Sequence, residues 1–510
     1  MIIVQIRILN ILIKIKFSHK FIVLHTRTKH SIKFNLLHRI VGPVLIALYT
    51  LIPFYSFAQS IDKETVKDSL ITCYTIQDIS LVGNKKTKDF IVLRELDFKS
   101  GDLICNAEFE TRFNKNQNRI FNTGLFLKVK IEAIVLDSGK VTLNIQLDER
   151  YYSYPIPIIG LADRNFNEWW ELHGHSLDRL DWGLRFTQKN VRGRNETLKV
   201  RVEAGFNKKL ELEYTFPYLT RNLKTGLSIY AGAIFNRQVG YATINQKFTY
   251  TENDKIIRTR YGLGLSLFRR ANFYQTHALS AFWYQNTIAD TVALLNPNYF
   301  LEGRTQQDYL SLRYSFTDDH RDIQFYPLKG YYFRLEAENN GAWLSDQIDY
   351  SFAKFELSKF SQLYKRVYGA ATLRGKASAP DVQPYFNQKG LGYGKDVING
   401  YELYVVDGQH FILSKLNLKL QLFSTSTQIK EIPIQSFQRI PLAMYLKINF
   451  DAGYVVNKYT LGNERFANKW LYGYGMGFDF VTYYDFVIRT QYSINGAGEG
   501  GFYINFKAEI

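Results

Sequence analysis

The chain has 510 residues, of which 46% are hydrophobic and 16% are aromatic, with 36 Tyr and 38 Phe. This hydrophobic content excludes wholesale disorder, and beyond residue 60 no run approaches the roughly 18 consecutive apolar residues of a membrane helix. The formal net charge is +17. Beyond residue 60, however, basic residues mostly alternate with apolar ones instead of clustering on one face, so we expect no nucleic-acid partner.

The N-terminal region has the features of a secretory signal peptide. Residues 1–39 carry eight Lys or Arg and no Asp or Glu, and the apolar run that follows ends in small residues at Ala58. This order predicts a signal peptide with a long basic leader over 1–58, cleaved after Ala58. A membrane anchor is the alternative interpretation. We disfavour it because Pro43 and Pro53 interrupt the apolar run.

Residues 74–149 alternate between strand and helix patterns. A strand that ends in "LVGNKKT" leads to a helix over Thr87–Leu96, with Thr87 as its N-cap, and a second helix covers Asn106–Gly124. Two further strands are joined by an Asp-Ser-Gly turn. The order β-α-α-β-β predicts a small α+β domain with its helices on one face of a three-stranded sheet.

The two cysteines of the chain, Cys73 and Cys105, lie in or beside this domain. Their spacing fits no metal-ligand pattern. A disulfide and a pair of small buried residues both remain open interpretations, because an exported protein meets an oxidising compartment.

From Tyr151 onward the helical period disappears. In "TLKVRVEAGF" (Thr197–Phe206) the apolar and charged residues alternate, and the same alternation recurs to the C-terminus. Dividing 151–510 by roughly 22 residues per strand and connection gives about 16 strands. With many aromatics and a mean hydropathy of -0.21, this pattern predicts a mainly β fold, a transmembrane antiparallel barrel over 151–510. A soluble sandwich is the alternative.

Several segments resemble one known family. They are "RIFNTGLF" at the end of the second helix, "YSFTDDHRDIQFYPLKGYYFRLEAE" (Tyr314–Glu338), "INGYELYVVDGQHF" (Ile398–Phe411) and "LKINFDAGYV" (Leu446–Val455). In this order they resemble the outer-membrane assembly and translocation proteins of the BamA and TamA type. The resemblance covers roughly residues 74–510. It implies a periplasmic POTRA domain at 74–149 followed by a 16-stranded barrel.

The resemblance also implies a loop that folds back into the barrel lumen. The corresponding motif here consists of Ile398, Asn399, Gly400 and Tyr401. In the family, an Arg at the position of Asn399 contacts acidic groups of the inner barrel wall, but Asn carries no charge. Strand phase places Asp451 on the lumen side, where it would lose an ionic partner. We therefore expect Arg489 to supply the charge, making Asp451 and Arg489 partners on the barrel wall.

A second motif marks a hairpin in which an Asp-Arg-Asp cluster precedes a Pro-x-x-Gly turn. Its residues are Asp319, Arg321, Asp322, Pro327 and Gly330. Two other features depart from the family. The C-terminal residue is Ile510 instead of an aromatic, and one POTRA domain stands where the main bacterial assembly proteins have several.

No catalytic pattern emerges from the sequence, and we expect no enzyme activity, metal or cofactor. The nucleophile signature G-x-S-x-G does not occur. Glu168, Glu171, His173 and His175 fall together in a polar connection, which is the common chance arrangement of such residues. The run Asp318–Asp322 is interpreted as an ion-paired cluster at a strand end.

The expected function is therefore assembly and insertion, or translocation, of client proteins at the bacterial outer membrane. A secretion pore dedicated to one partner and a passive solute channel are the alternatives. The expected partners are unfolded outer-membrane or secreted clients, outer-membrane lipid and accessory assembly subunits. The POTRA domain would receive extended client strands in the periplasm at the edge of its sheet.

Overall fold

The computed structural model of the chain describes residues 72–136, 139–161, 169–171, 174–341, 347–428, 438–458, 465–482 and 486–505. The predicted signal peptide over 1–58, with its cleavage site at Ala58, lies outside these ranges. Within them the chain forms a small α+β domain followed by a sixteen-stranded antiparallel sheet. No helix in the described ranges is long and apolar enough to cross a membrane.

The first domain contains four strands and two helices. They are β1 (Cys73–Val82), α1 (Asp89–Leu93), β2 (Leu103–Cys105), α2 (Asn106–Asn122), β3 (Phe126–Leu136) and β4 (Lys140–Glu149). The sheet order is β2-β1-β4-β3, with β1 and β4 parallel and the other neighbours antiparallel. The prediction of a three-stranded sheet is wrong in one respect, because β2 adds a fourth strand. Three residues are too few to show the alternation by which a strand is recognised.

The helices pack on this sheet around a continuous apolar core. Fully buried members include Ile76, Ile91, Val92, Ile120, Val141, Leu143 and Ile145. The predicted N-cap of α1 is also corrected, since Lys88 holds that position. The hydroxyl of Thr87 instead lies 3.0 Å from the Tyr152 hydroxyl and accepts a hydrogen bond from Asn190 at 2.8 Å. A tertiary contact thus takes the side chain that local sequence assigned to the helix end.

Asp97 follows α1 and joins it to α2. Its carboxylate accepts hydrogen bonds from Asn116 at 3.0 Å and pairs with Arg119 at 3.0 Å. Burial raises the pKa of this carboxyl. The hydrogen bond from Asn116 and the charges of Arg119 and Arg112 outweigh that effect, however, so the pKa lies below its usual value. The contact is therefore charged at neutral pH and is lost only as the pH falls through this lowered value.

The two cysteines pair. Cys73 lies opposite Cys105 in the β1–β2 ladder, and the two side chains form a disulfide. The bond therefore fastens β2 to the edge of β1. No free cysteine occurs in the described ranges, and the chain contains only these two.

The remaining elements build the large sheet and its connections. In chain order they are β5 (Ser153–Leu161), β6 (Leu180–Val191), β7 (Glu196–Gly205), β8 (Lys208–Phe216), β9 (Thr225–Asn236), β10 (Gln238–Ile244), β11 (Lys247–Glu252), β12 (Arg258–Arg270), β13 (Gln275–Ile288), α3 (Asp290–Leu295), β14 (Gln306–Asp319), β15 (Gly330–Asn340), β16 (Tyr350–Tyr364), β17 (Val367–Ala379), β18 (Lys389–Leu391), β19 (Val406–Asp407), β20 (His410–Gln428), β21 (Arg439–Val456), β22 (Trp470–Thr482), β23 (Phe486–Asn495) and β24 (Gly500–Asn505).

Sixteen of these strands form one barrel sheet, in sequence order from β5 to β24. The two small hairpins β10–β11 and β18–β19 lie outside it, in connections between barrel strands. The predicted strand number and fold class are confirmed. Successive strands are antiparallel neighbours throughout, which is the topology of an up-and-down barrel.

The distribution of apolar and charged residues over the two faces of this sheet is the reverse of that in a soluble protein. Along β12, Leu263, Leu265 and Leu267 are half or more exposed, whereas Lys419 and Lys447 on β20 and β21 are almost completely buried. Apolar residues therefore point outward and charged residues line the interior. A barrel surrounded by lipid requires this arrangement.

We expect the disulfide to stabilise the POTRA-like domain. Replacing both cysteines with serine (Cys73→Ser with Cys105→Ser) should cost about 3–4 kcal/mol, because the cross-link closes a loop with a sequence separation of 32. Limited proteolysis of the folded full chain would measure this as faster cleavage within 72–149. Wild-type protein under reducing conditions should match the double variant. Equal protease resistance in all three samples would contradict the prediction.

Candidate functional site in the barrel lumen

The connection between β17 and β20, residues 380–409, turns back into the barrel. Its tip contains the predicted motif, and Ile398, Asn399, Gly400 and Tyr401 are all buried. Apolar residues of the loop and the barrel wall surround Ile398 and Tyr401. They include Leu413, Val455, Phe466 and Leu471. A connection of mixed polarity thus forms its own small core inside the lumen.

Two glycines allow the tip to approach the wall. Gly400 has a φ of 85°, and a Cβ there would lie 2.8 Å from the backbone nitrogen of Asn495. On β22, a Cβ at Gly473 would lie 1.8 Å from the carbonyl oxygen of Asn399. Side chains at these positions would push the loop off the wall. The Asn495 amide also donates to the Gly400 carbonyl at 3.1 Å.

A barrel-wall lysine supplies the positive charge beside Asp451 that the loop itself lacks. The backbone N–H of Asn399 donates to Asp451 at 3.0 Å. The Lys415 ammonium, on β20, lies 3.3 Å from the same carboxylate and donates to the Val397 carbonyl at 2.7 Å. Lys415 therefore neutralises Asp451 and holds the loop backbone at once.

The expected pairing of Asp451 with Arg489 is corrected by this geometry. Arg489 donates to Asp479 at 2.9 Å, its directly opposite neighbour across β22 and β23. Asp451 is directly opposite Lys415 across β20 and β21. Lys415 lies on the lumen phase of "FILSKLNLKL", but the sequence does not indicate which of several lumenal cations faces which acid. Strand register decides the partners.

The Asn399 side chain still takes part in the contact as a neutral group. Its carbonyl oxygen accepts a hydrogen bond from Gln491 at 2.8 Å, and Gln491 also donates to Glu402 at 3.2 Å. Farther along the loop, Tyr404 donates to Glu499 at 2.9 Å. The loop is thereby joined to β23 and to the turn that precedes β24.

The loop is also held from the opposite side of the barrel. Val405 donates its N–H to the Gln246 carbonyl in the β10–β11 hairpin at 2.8 Å. On β17, Arg374 donates to the Lys395 carbonyl at 2.7 Å and pairs with Glu356 at 3.2 Å. These contacts fix the loop between the two halves of the barrel wall.

The hairpin motif closes the connection between β14 and β15. Arg321 forms a bidentate pair with Asp319, with both distances at 2.7 Å, and the Asp322 carboxylate accepts the N–H of Leu328 at 3.1 Å. Gly330 has a φ of 103°, and a Cβ there would lie 2.0 Å from the His320 carbonyl oxygen. Pro327 lies within the turn between these contacts.

One buried residue of this turn was not predicted from the sequence. Tyr326, beside Pro327, is buried in the lumen, and its hydroxyl donates to Asp479 at 3.0 Å. The Asp479 carboxylate thus accepts hydrogen bonds from both Arg489 and Tyr326. The dipeptide Tyr-Pro in a polar turn gives no signal of burial, because the turn must first fold inward.

No metal-ligand group is found in the described part of the polar connection near residue 170. Glu168 and His173 fall outside the described ranges, and Glu171 and His175 belong to no group of three ligand-type side chains among the described residues.

A sixteen-stranded barrel with an apolar exterior, an inward loop and a preceding α+β domain is the architecture of outer-membrane β-barrel proteins. Residues 190–412 match the Omp85 superfamily domain, and residues 74–150 match a surface antigen variable number repeat, the POTRA domain. Together these two matches place an Omp85 superfamily domain after a POTRA domain in this chain. The barrels of this family are outer-membrane proteins with POTRA domains in the periplasm, and they handle client proteins as non-enzymatic assembly or transport factors.

Solved structures with related folds are distant in sequence. CdiB from Escherichia coli has a TM-score of 0.51 and 12% identity, covering 84% of this chain and 75% of that one. BamA from Haemophilus ducreyi lacking POTRA domains 1-3 has a TM-score of 0.48 and 12% identity, covering 84% of both chains. CdiB from Acinetobacter baumannii has a TM-score of 0.46 and 12% identity, covering 86% of this chain and 74% of that one. A search of curated proteins finds no match.

We expect Lys415 to be essential for loop docking. Lys415→Ala should destabilise the barrel by roughly 3–5 kcal/mol, because it leaves Asp451 buried without a cation. Asn399→Arg in the wild-type background should give no gain, since the cation is already supplied. The same change in the Lys415→Ala background should recover part of the loss.

The free energy of unfolding in urea, followed by the heat-modifiable shift of the folded barrel, measures these effects. Lys365→Ala, at an exposed turn position, is the matched control and should be neutral. A large gain from Asn399→Arg alone would show that Lys415 does not replace the missing charge.

Proposed function

We propose that this protein inserts client β-strands into the bacterial outer membrane from the periplasmic side. The observation that carries the proposal is the position of the barrel seam, which is the junction between the first barrel strand, β5, and the last, β24. The sheet begins at β5, three residues after the last POTRA strand, and ends at β24. We find no pairing between β5 and β24 among the residues that the structure describes. A client strand received by the POTRA domain would therefore arrive next to the two strands between which a barrel can open.

The POTRA domain has one edge that suits capture of an extended strand. The β1 edge is covered at its start by β2, which the disulfide holds in place. The other edge is β3, whose last three residues, Ile134, Val135 and Leu136, are exposed. An open strand with exposed apolar residues pairs readily with another strand, which is the basis of recognition by β-augmentation.

The seam edge of β5 has few hydrogen-bond donors. Lys189 on β6 donates to the Tyr152 carbonyl, so the residues at 153, 155 and 157 direct their backbone groups away from β6. Two of these are Pro155 and Pro157, which have no N–H. The seam can therefore accept hydrogen bonds at these positions but cannot donate them. An incomplete ladder lowers the cost of parting the seam.

The filled lumen favours a route for client strands through the barrel wall rather than through the pore. The loop over 380–409 occupies the interior and is tied to both halves of the wall. A passive solute channel has no use for this plug or for a POTRA domain. A secretion pore dedicated to one partner remains the second candidate, and it would require the loop to leave the lumen.

The proposal gives the chain its place and partners. The barrel lies in the outer membrane with the POTRA domain in the periplasm. The clients are unfolded outer-membrane proteins, and the surrounding lipid accepts the inserted strands. Accessory assembly subunits would bind the periplasmic domain. Neither a nucleic acid nor a cofactor takes part.

Depletion of the protein followed by quantitative outer-membrane proteomics tests this function. General loss of barrel proteins is the expected result. Loss of a single secreted protein would favour the dedicated pore, and an unchanged proteome would overturn both in favour of a channel.

We expect the β3 edge to be required for client capture. Ile134→Lys with Leu136→Lys places two charges on one side of the strand and should hinder strand addition. Cells that depend on this variant should lose outer-membrane barrels about as severely as depleted cells, while the variant itself stays folded. Lys128→Glu with Lys130→Glu, exposed positions on the same strand, controls for a change of charge. Normal barrel levels with the lysine variant would show that clients do not use this edge.

A further inference from the structure

The periplasmic turn between β14 and β15, residues 320–329, enters the barrel instead of staying outside it. The turn lies at the POTRA end of the barrel, since Asn122 of α2 donates to its Asp322 carbonyl at 3.0 Å. From there the turn brings Phe325, Tyr326 and Leu328 against the inner wall. The lumen is thus entered from both ends, by the long loop from one side and by this turn from the other.

Tyr326 has a specific binding position on the wall. Its ring packs on Tyr445 of β21, with centroids 5.0 Å apart, and the Lys419 ammonium lies 4.1 Å from the ring centroid. Its hydroxyl donates to Asp479, which Arg489 also contacts. The side chain is only 4% exposed. An aromatic ring held by a cation, a second ring and a charged acceptor is a fixed contact and not a chance burial.

The POTRA domain holds the other end of the turn. Besides donating to Asp322, the Asn122 side chain accepts the Gln324 N–H at 3.3 Å. A second anchor lies nearby, where Glu95 forms a bidentate pair with Arg270 at 2.5 and 2.7 Å. Movement of α2 would therefore pull directly on the backbone of the turn.

The wall position of Tyr326 lies close to the barrel seam. Asp479 belongs to β22 and Arg489 to β23, and β23 pairs with the terminal strand β24. Arg489 itself lies opposite Asn505 of β24. A continuous set of contacts therefore runs from the POTRA domain through the turn to the strand beside the seam.

A cavity of about 520 Å³ lies behind the turn. Tyr326 and Pro327 form part of its lining, and Ser358 of β16 lies in its wall. Its charged lining is mostly basic: Arg321, Arg374, Lys395, Lys419 and Arg489, with Glu356 as the acid. Withdrawal of Tyr326 would widen access to this cavity from the POTRA end of the barrel, and the charge of the cavity would favour entry of anions.

We propose that residues 320–329 form a periplasmic gate, closed by Tyr326 in its pocket on Lys419, Tyr445 and Asp479, and that Asn122 couples the gate to the POTRA domain. The gate narrows access to the lumenal cavity while the POTRA domain rests in this orientation. When α2 moves, Tyr326 leaves Asp479, and the contact that steadies β22 and β23 beside the seam is lost. The gate does not depend on whether clients are inserted or exported.

Labelling of a buried cysteine tests the gate on the full-length protein. Ser358→Cys places a single free thiol in the cavity wall, because the two native cysteines are paired. Its reaction rate with an anionic methanethiosulfonate reagent is measured on the folded barrel. In this background, Tyr326→Ala should speed labelling by roughly tenfold or more, and Tyr326→Phe, which loses only the hydrogen bond, by less. Tyr364→Ala, an exposed tyrosine at the same barrel end, should leave the rate unchanged.

Two further comparisons make the test decisive. Asn122→Ala should also speed labelling, whereas Asn114→Ala, at an exposed position on the same helix, should not. Equal labelling of Tyr326→Ala and its parent would overturn the gate. If Tyr326→Ala is fast while Asn122→Ala matches its parent, the coupling to the POTRA domain is wrong. Heat-modifiable migration shows whether each variant is folded. If Tyr326→Ala does not fold, the labelling rate of Tyr326→Phe tests the gate in its place.

Discussion

The whole structure depends on one constraint, which is that backbone N–H and C=O groups cannot be left unpaired in lipid. A sheet satisfies this only by pairing every strand on both sides, so the two terminal strands are the costly ones. Here they are β5 and β24, and Pro155 and Pro157 remove donors from the edge of β5 that faces the seam. The strand edge that these prolines leave short of donors is also the edge that follows the POTRA domain in the chain. The proposed point of strand insertion therefore coincides with the edge that has the fewest donors.

The second determinant is the placement of charge inside the barrel. A buried carboxylate must have a cation, and Asp451 and Asp479 each have one directly across the ladder. The Lys415–Asp451 pair hydrogen-bonds to the loop backbone, and the Arg489–Asp479 pair accepts a hydrogen bond from Tyr326. Two neighbouring acid–base pairs thus hold the two inward segments of the chain. In the BamA and TamA type of protein that this chain resembles, the loop itself carries the cation. In this chain the wall carries it, and the loop needs only backbone groups and a neutral amide.

The sequence predicted the fold well because its signals are local. Alternation of two residues and the placement of turns identify strands, and sixteen of them were expected and found. The short strand β2 escaped, since three residues show no period. The predicted partner of Asp451 was wrong because the register between two strands depends on both strands and cannot be read from either one alone. Tyr326 was missed for a related reason: nothing in a turn sequence says whether the turn folds inward.

The segment that joins the two domains has a further consequence. Between β4 and β5 lie Arg150, Tyr151 and Tyr152, and they are ordered: Arg150 donates to the Phe126 carbonyl at 3.0 Å and Tyr152 to the Leu125 carbonyl at 3.1 Å. Such a connection is short and is held against the POTRA domain, so it keeps that domain close to β5. A client strand bound to the POTRA sheet would therefore be confined to the neighbourhood of the seam, which raises its effective concentration there. Weak and transient binding by the POTRA domain would then suffice, and a bound client could still be released quickly into the membrane.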